Sequence, residues 1–225
     1  MSAPSSKSRF TDEELAALSQ GFESAPPSTI LSWAFETFGH DLVLACSFQD
    51  IVLVDLATKI DPAVEVVFLD TGFHFPETLS FVEEVRARYD LHLTVTTPGP
   101  DAEAWPCGTD ECCQRRKVAP LKAVVETKQA WFTALKRVDA PTRAMAPIVA
   151  WDHSFEVVKI NPLVTWTDED IAYYESSHDL PTHPLLSQGY LSIGCAPTTR
   201  PVAPGEDPRS GRWAGTGKVE CGLHE

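Results

Sequence analysis

Six cysteines are distributed over the 225-residue chain, and the neighbours of five give them a chemical context. Cys112 and Cys113 are adjacent and run directly into Gln114-Arg115-Arg116-Lys117. Adjacent cysteines do not readily bridge each other, whereas both can ligate one cluster, and nearby cations favour the thiolate that a ligand or a nucleophile must be. Cys195 is the natural third ligand, and Cys107 stands in the nearby loop Pro106-Cys107-Gly108. Tetrahedral zinc is the metallic alternative, although adjacent ligands are not a zinc-finger spacing. A pair of buried free thiols is the alternative without metal. Cys221 lies in the terminal segment Glu220-Cys221-Gly222-Leu223-His224. An activated thiol there could attack an electrophile brought to it, although composition alone would make it a free cysteine near a chain end.

Anion-binding groups accompany the thiols. The polar turn Ser47-Phe48-Gln49-Asp50 follows the apolar run Leu42-Val43-Leu44-Ala45-Cys46, and Asp70-Thr71-Gly72 follows a second run over 64–69. A strand-to-helix turn offers free backbone amides and a helix dipole to an anion or to the edge of a nucleotide, although Ser47 would equally serve as a helix cap. Basic residues gather at Arg115, Arg116 and Lys117, at Lys136 and Arg137, and at Arg209 and Arg212. Any one cluster taken alone is as well explained as a solvated face.

The elements that must position these groups follow from periodicity. Thr11 with Glu14 has the form of a capping box opening a first helix, and Pro26-Pro27 and Gly39 bracket a second over 28–37. Strands over 42–46, 64–69 and 91–96 alternate with helices over 51–58 and 78–89. This β-α-β-α-β succession predicts an α/β fold with right-handed crossovers and a doubly wound, mostly parallel sheet. Ligands of such sheets bind beyond the strand C-termini, so residues 47–50 and 70–74 share one mouth. Further along, a helix is expected over 117–127, strands over 131–135 and 155–160, and a helix from Thr167 towards Tyr174. From 185 onward proline and glycine dominate, and a loop-rich segment of that length is expected to be functional. The organisation is therefore N-terminal helices (1–40) on a nucleotide-binding core (41–194) with an active-site tail (195–225) of the same domain. There is no internal repeat.

A net charge of −14 disfavours nucleic acid as a partner, because binding the phosphate backbone generally requires a basic surface. The polar start of the chain and the lack of a long apolar run point to a cytoplasmic protein without a membrane span, where cysteines serve as ligands or reactive thiols more often than as disulfides. A homo-oligomer is left open.

Six motifs in order make the sequence resemble the sulfonucleotide reductases of assimilatory sulfate reduction, the route to cysteine biosynthesis. They are Phe68-Leu69-Asp70-Thr71-Gly72-Phe73-His74-Phe75-Pro76-Glu77-Thr78, Cys112-Cys113-Gln114-Arg115-Arg116-Lys117, Asn161-Pro162-Leu163, Gly189-Tyr190-Leu191-Ser192-Ile193-Gly194-Cys195, Arg209-Ser210-Gly211-Arg212-Trp213 and Glu220-Cys221-Gly222-Leu223-His224. The resemblance implies an adenine nucleotide alpha hydrolase-like sheet. It implies adenosine in the crevice of Ser47, Gln49, Asp50, Asp70, Thr71 and Gly72, and phosphosulfate among Lys117, Lys136, Arg137, Arg209 and Arg212. Cys221 would be the nucleophile that takes up a sulfo group and passes sulfite on to thioredoxin or glutaredoxin, with His224 beside it.

Two branches of that family differ in substrate. Adenylylsulfate (APS) reductases carry a 4Fe-4S cluster on four cysteines, and cluster-free members use the 3′-phosphorylated nucleotide (PAPS). The pair Cys112-Cys113 resembles the first branch, whose later cysteines form Cys-x-x-Cys; here Cys195-Ala196-Pro197 is followed by Thr198. The expected metal ligands are Cys112, Cys113 and Cys195, with the fourth position open between Thr198 and Cys107. A zinc-stabilised nucleotide-binding module without turnover is the reading from another class. An ATP-pyrophosphatase relative is disfavoured because no Ser-Gly-Gly loop is present.

Overall fold

The computed structural model describes residues 9–215, 218 and 220–223. Its centre is a six-stranded sheet in the order β3-β2-β1-β4-β6-β5, with β1 at Leu42–Ala45, β2 at Glu65–Leu69, β3 at His92–Thr96, β4 at Ala130–Thr133, β5 at Val149–Asp152 and β6 at Val157–Ile160. All neighbouring pairs are parallel except β5 with β6.

Alternation along the strands feeds two apolar layers. Leu42, Leu44, Val66, Phe68, Phe132 and Ile160 point into the larger cluster. Val43, Val67, Trp131 and Val157 point into a smaller one with Val118, Leu121 and Val125. A strand buried on both faces reads as a continuous apolar run, as β1 does. The larger layer is covered by α1 (Asp12–Gly21), α2 (Pro27–Phe38) and α3 (Val52–Ile60), and α4 (Pro76–Tyr89) contributes Phe81, Val82 and Val85. The capping box at Thr11 is formed: Glu14 N donates to Thr11 Oγ1 at 3.2 Å and Thr11 N donates to Glu14 Oε2 at 2.8 Å. Thr167 and Asp170 repeat it at the start of α7 (Asp168–Ser177).

Two elements differ from expectation. The helix expected over 117–127 begins earlier, as α5 (Asp110–Cys113), because Thr109 caps it by accepting from Cys112 N at 3.2 Å. It widens into a π turn over Gln114–Val118 before α6 (Ala119–Val125). Pro120 has no N–H to give, and Ala119 N instead donates to Gln114 O, five residues back. The second difference is β5, which the sequence reading did not foresee. Asp152 Oδ1 accepts from Ser154 N and Phe155 N in the turn to β6, so residue 155 lies in the turn and not in the strand.

Candidate active site

The sheet order reverses between β1 and β4, which opens a crevice beyond their C-terminal ends. Residues 47–50 form its first wall. Buried Phe48 takes a φ of 57° while its N–H donates to Cys46 Sγ at 3.2 Å, and Asp50 Oδ1 accepts from Val52 N at 3.3 Å. Ser47 is exposed, and Gln49 Oε1 accepts from Ile193 N at 2.8 Å, tying this turn to the segment before Cys195. After β2, Asp70 Oδ1 accepts from Gly72 N at 2.9 Å and Thr71 Oγ1 accepts from Phe73 N at 3.2 Å. Gly72 has a φ of 71°, a conformation that glycine adopts without strain.

Lys136, beyond β4, pairs with Asp139 at 2.8 Å and Asp168 at 3.6 Å. Burial opposes its charge, yet Asp139, Asp50 and Asp168 together hold it above its ordinary pKa. Burial also pushes the Asp50 carboxyl up, and burial followed by the charge of Asp50 raises Glu175 to about 7. Arg137 faces elsewhere: its guanidinium grips Glu23 at 2.6 and 2.8 Å, and Nε donates to Ala146 O.

The cysteines form the second half of the site. Cys112 and Cys113 are buried at the capped start of α5, and Cys195 is buried just before the 3-10 turn Ala196–Thr198. Cys195 Sγ lies 3.5 Å from Thr71 Oγ1, and Cys107 Sγ lies 4.0 Å from Thr198 Oγ1. The neighbouring Cys107 thiol is the chief cause that brings Cys195 down to about 4, with Lys117 and Thr71 also favouring the thiolate. The interaction with Cys195, then burial, pushes Cys107 up. Cys113 is raised by burial, against the pull of Lys117 and of Lys218, whose Nζ lies 3.2 Å from Cys113 Sγ. Lys117 thus acts on both Cys113 and Cys195. Among the described residues no three Cys, His, Asp or Glu side chains are disposed to hold a metal ion.

The tail returns over this assembly. Glu220 receives Arg143 Nε at 2.7 Å and Nη2 at 2.8 Å, with Arg209 Nη2 at 3.5 Å. Burial would raise the Glu220 carboxyl, but Arg143 and Arg209 hold it below its ordinary value. Two residues beyond Cys221, Leu223 packs against the smaller apolar cluster and its carbonyl accepts from Lys159 Nζ at 3.4 Å. Cys221 is half-buried between these two anchors, within the electrostatic reach of Arg143, Lys159, Arg212 and Cys113. Arg212 stacks on Trp213 at 4.5 Å and donates to Ile193 O at 3.0 Å. A Cβ at Gly194 would overlap the Arg212 guanidinium, so a side chain there would have to displace it. His224 lies outside the described residues.

Four functional side chains escaped the sequence reading. Arg143 and Glu220 are separated by 77 positions and Lys159 and Leu223 by 64, so no spacing links them. Lys218 gave no local signal. Arg116, seen only as part of a basic run, is buried, donates to Thr71 O at 2.7 Å and Ala102 O at 3.1 Å, and lies over the Phe73 ring. It straps the cysteine helix to the turn after β2.

Sheet, crevice and thiol-bearing tail define an α/β enzyme of nucleotide-binding type, and solved structures agree on the fold. A phosphoadenylyl-sulfate (PAPS) reductase from Candida auris, in a phosphate complex, superposes with a TM-score of 0.76 at 26% identity, covering 86% of this chain and 99% of that one. An FMN adenylyltransferase from Candida glabrata superposes at 0.62 with 17% identity, which speaks to fold alone. Residues 41–201 match the phosphoadenosine phosphosulfate reductase domain, and the chain belongs to that family of oxidoreductases, which acts in sulfate reduction. It is 45% identical to the adenosine 5'-phosphosulfate reductase of Mycolicibacterium smegmatis, over 95% of this chain and 96% of the relative. It is equally similar to the enzyme of that name from Streptomyces coelicolor. Among the described residues no helix is long and apolar enough to cross a membrane.

Proposed function

We propose that the chain reduces adenylylsulfate to sulfite and AMP with Cys221 as nucleophile and a thioredoxin-type protein as reductant. The observation that carries this reading is the docking of Cys221, fixed by Glu220 on one side and Leu223 on the other, beside a group of cations at the sheet's C-terminal edge. Adenosine would occupy the crevice of Ser47, Gln49, Asp50, Asp70, Thr71 and Gly72. Phosphosulfate would lie among Lys117, Lys136, Arg209 and Arg212, joined by Arg143 and Lys159, with Arg137 left to its pairing with Glu23. Cationic donors of this kind neutralise the ligand and stabilise the charge that develops on the leaving phosphate.

The Cys221 thiolate attacks the sulfur of the nucleotide, the sulfur–oxygen bond to phosphate breaks, and AMP leaves with that electron pair. Cys221 then carries a sulfo group. A thiolate of thioredoxin attacks Cys221 Sγ, sulfite departs with the electrons of the sulfur–sulfur bond, and the mixed disulfide is resolved by the second thiol of thioredoxin. For this to happen the tail must leave its docked position, and the positive φ of Gly222 (83°) beside Cys221 provides a turn at which it can reorient.

The 4Fe-4S cluster that the resemblance implies would draw on Cys112, Cys113 and Cys195, but among the described residues no three Cys, His, Asp or Glu side chains are disposed to hold a metal ion, so the site in this arrangement does not fit one.

Sulfite release with thioredoxin, measured side by side with adenylylsulfate and its 3′-phosphorylated form, tests the reading. Preference for adenylylsulfate and loss of turnover in Cys221→Ser are expected. Full turnover by Cys221→Ser would overturn the assignment of the nucleophile, and preference for the phosphorylated nucleotide would overturn that of the substrate.

A further inference from the structure

We infer that Gln49 is a positioning residue for Arg212: acting through Ile193, it sets the guanidinium that meets the phosphosulfate. The inference rests on the proposed placement of Arg212 at that group. Gln49 lines the crevice, yet its side-chain carbonyl is already engaged, since Oε1 accepts from Ile193 N at 2.8 Å. From the other side, Arg212 Nη1 donates to Ile193 O at 3.0 Å and to Ser192 Oγ at 3.4 Å. One residue is thus held at its N–H by the turn after β1 and at its C=O by a cation of the tail. Between the short turns Leu186–Gln188 and Ala196–Thr198 the chain forms no strand or helix that could fix this arrangement by itself. Contacts with the two walls of the crevice fix it instead. Tyr190 meets the Phe75 ring edge-on at 5.3 Å and Ala196 N donates to Phe73 O at 2.7 Å, which tie the segment to the wall after β2. Gln49 ties it to the wall after β1.

The cation seated this way has a donor left over. The Arg212 guanidinium lies over Gly194 and stacks on Trp213, and its Nε is buried without a hydrogen-bond partner among the described residues. A buried donor on a cation is costly when unpaired, and an anion that accepts from it removes the cost. Burial, and after it the charge of Arg209, hold Arg212 below its ordinary pKa, which an anionic ligand would relieve. Where that donor stands depends on Ile193. Ile193 is buried, so without Gln49 its N–H loses an acceptor that water cannot readily replace. The segment then shifts to find another partner and carries with it the carbonyl that seats the guanidinium.

The test measures adenylylsulfate binding by calorimetry in full chains that also carry Cys221→Ser, so that nothing turns over. Arg212→Ala is expected to weaken binding by about tenfold, the loss of one charge-assisted contact, and Gln49→Ala by about fivefold. The double variant should bind no more weakly than Arg212→Ala alone, because Gln49 acts through a group that is gone. Gln49→Glu should stay nearer the parent than Gln49→Ala, since a carboxylate oxygen accepts the same bond from Ile193. Losses that multiply to about fiftyfold in the double variant overturn the inference and leave Arg212 in its place. Parental affinity in Gln49→Ala does the same, as does Gln49→Glu binding more weakly than Gln49→Ala, which would mean that the side-chain amide donates to the nucleotide. An Arg212→Ala chain that binds as tightly as its parent overturns instead the placement on which the inference rests. Circular dichroism verifies that each chain is folded, and if Gln49→Ala is not, Gln49→Asn, whose amide stops short of Ile193, is measured in its stead.

Discussion

The turns that close the sheet and the tail that closes the site are built by different means. Residues 47–50 and 70–72 inherit their positions from β1 and β2. Each is shaped by hydrogen bonds spanning two residues, such as Gly72 N to Asp70 Oδ1, and braced by one long-range bond, from Ile193 N to Gln49 and from Arg116 to Thr71 O. The tail has no regular element to inherit from. It is placed by contacts across long stretches of chain: Glu220 with Arg143, Lys218 with Asp110, Leu223 with Lys159. A binding crevice gains from rigidity, whereas a thiol that meets a nucleotide and then a protein must be released, and ionic anchors on an irregular segment allow both.

The largest effect should fall on the tail. Cys221→Ser is expected to lower sulfite formation by roughly a thousandfold or more, because the thiol that carries the sulfo intermediate in this reading is gone. Nucleotide binding, measured by calorimetry, should survive, since the crevice does not depend on that thiol. Equal loss of binding would mean that crevice and tail are one unit. Arg143→Ala comes next. The side chains of Arg143 and Glu220 are only 9% and 8% exposed, and removing one partner of a buried pair costs about 3 kcal/mol. The tail can escape that cost by undocking. The variant should therefore expose residues 220–223 to protease and lower kcat, with a smaller rise in KM from the loss of one cation beside the phosphosulfate. A globally lowered unfolding midpoint with an intact tail would show the pair to be part of the core.

The same division decides what could be read from the sequence. The strands other than β5, α1 to α4 and the capping box at Thr11 were legible because each is specified by residues within one turn or one alternation, as Thr11 with Glu14 and Leu42 with Leu44 show. The mouth of the sheet followed from topology. The early start of α5 is encoded in Thr109-Asp110-Glu111, a cap with acidic residues behind it, but a single turn of four residues carries no apolar periodicity of its own. Arg143 and Lys159 could not have been found, since their partners in the tail are fixed only by the fold. Arg137 misled for the converse reason: its neighbour Lys136 faces the crevice, while its own side chain turns to Glu23.

Arg116 joins the two regions, so its removal should affect both, less strongly than either change above. Its guanidinium donates to Thr71 O and Ala102 O while buried, and losing charge-assisted bonds of that kind costs about 2 kcal/mol. Arg116→Ala is expected to raise KM for the nucleotide by about tenfold, because the turn at 70–72 loses its support. Arg116→Lys should recover only part, since an ammonium cannot span both carbonyls. An unchanged KM would disconnect the strap from binding.

The smallest effect separates the regions by pH. Glu220 titrates below its ordinary 4.5, so the docking it provides is complete above 4.5 and disappears as pH falls through the lowered value. Glu175 is raised from 4.5 to about 7 by burial and by Asp50, with Lys136 opposing. A raised acid works in the opposite sense: the folded state binds the proton more tightly, so its contribution is present below 4.5 and declines as pH rises through about 7. Asp50, also raised, adds to the same trend. Denaturant unfolding should therefore show stability falling between 4.5 and about 7, with a shallower fall in Glu175→Gln. Alkylation of Cys221 should stay constant across that window and accelerate only below it, once corrected for the reactivity of a free thiol. If the Glu175→Gln slope equals that of the native chain, the buried acids at the sheet end do not set this dependence. If alkylation follows the same curve as unfolding, the tail does not move independently of the sheet.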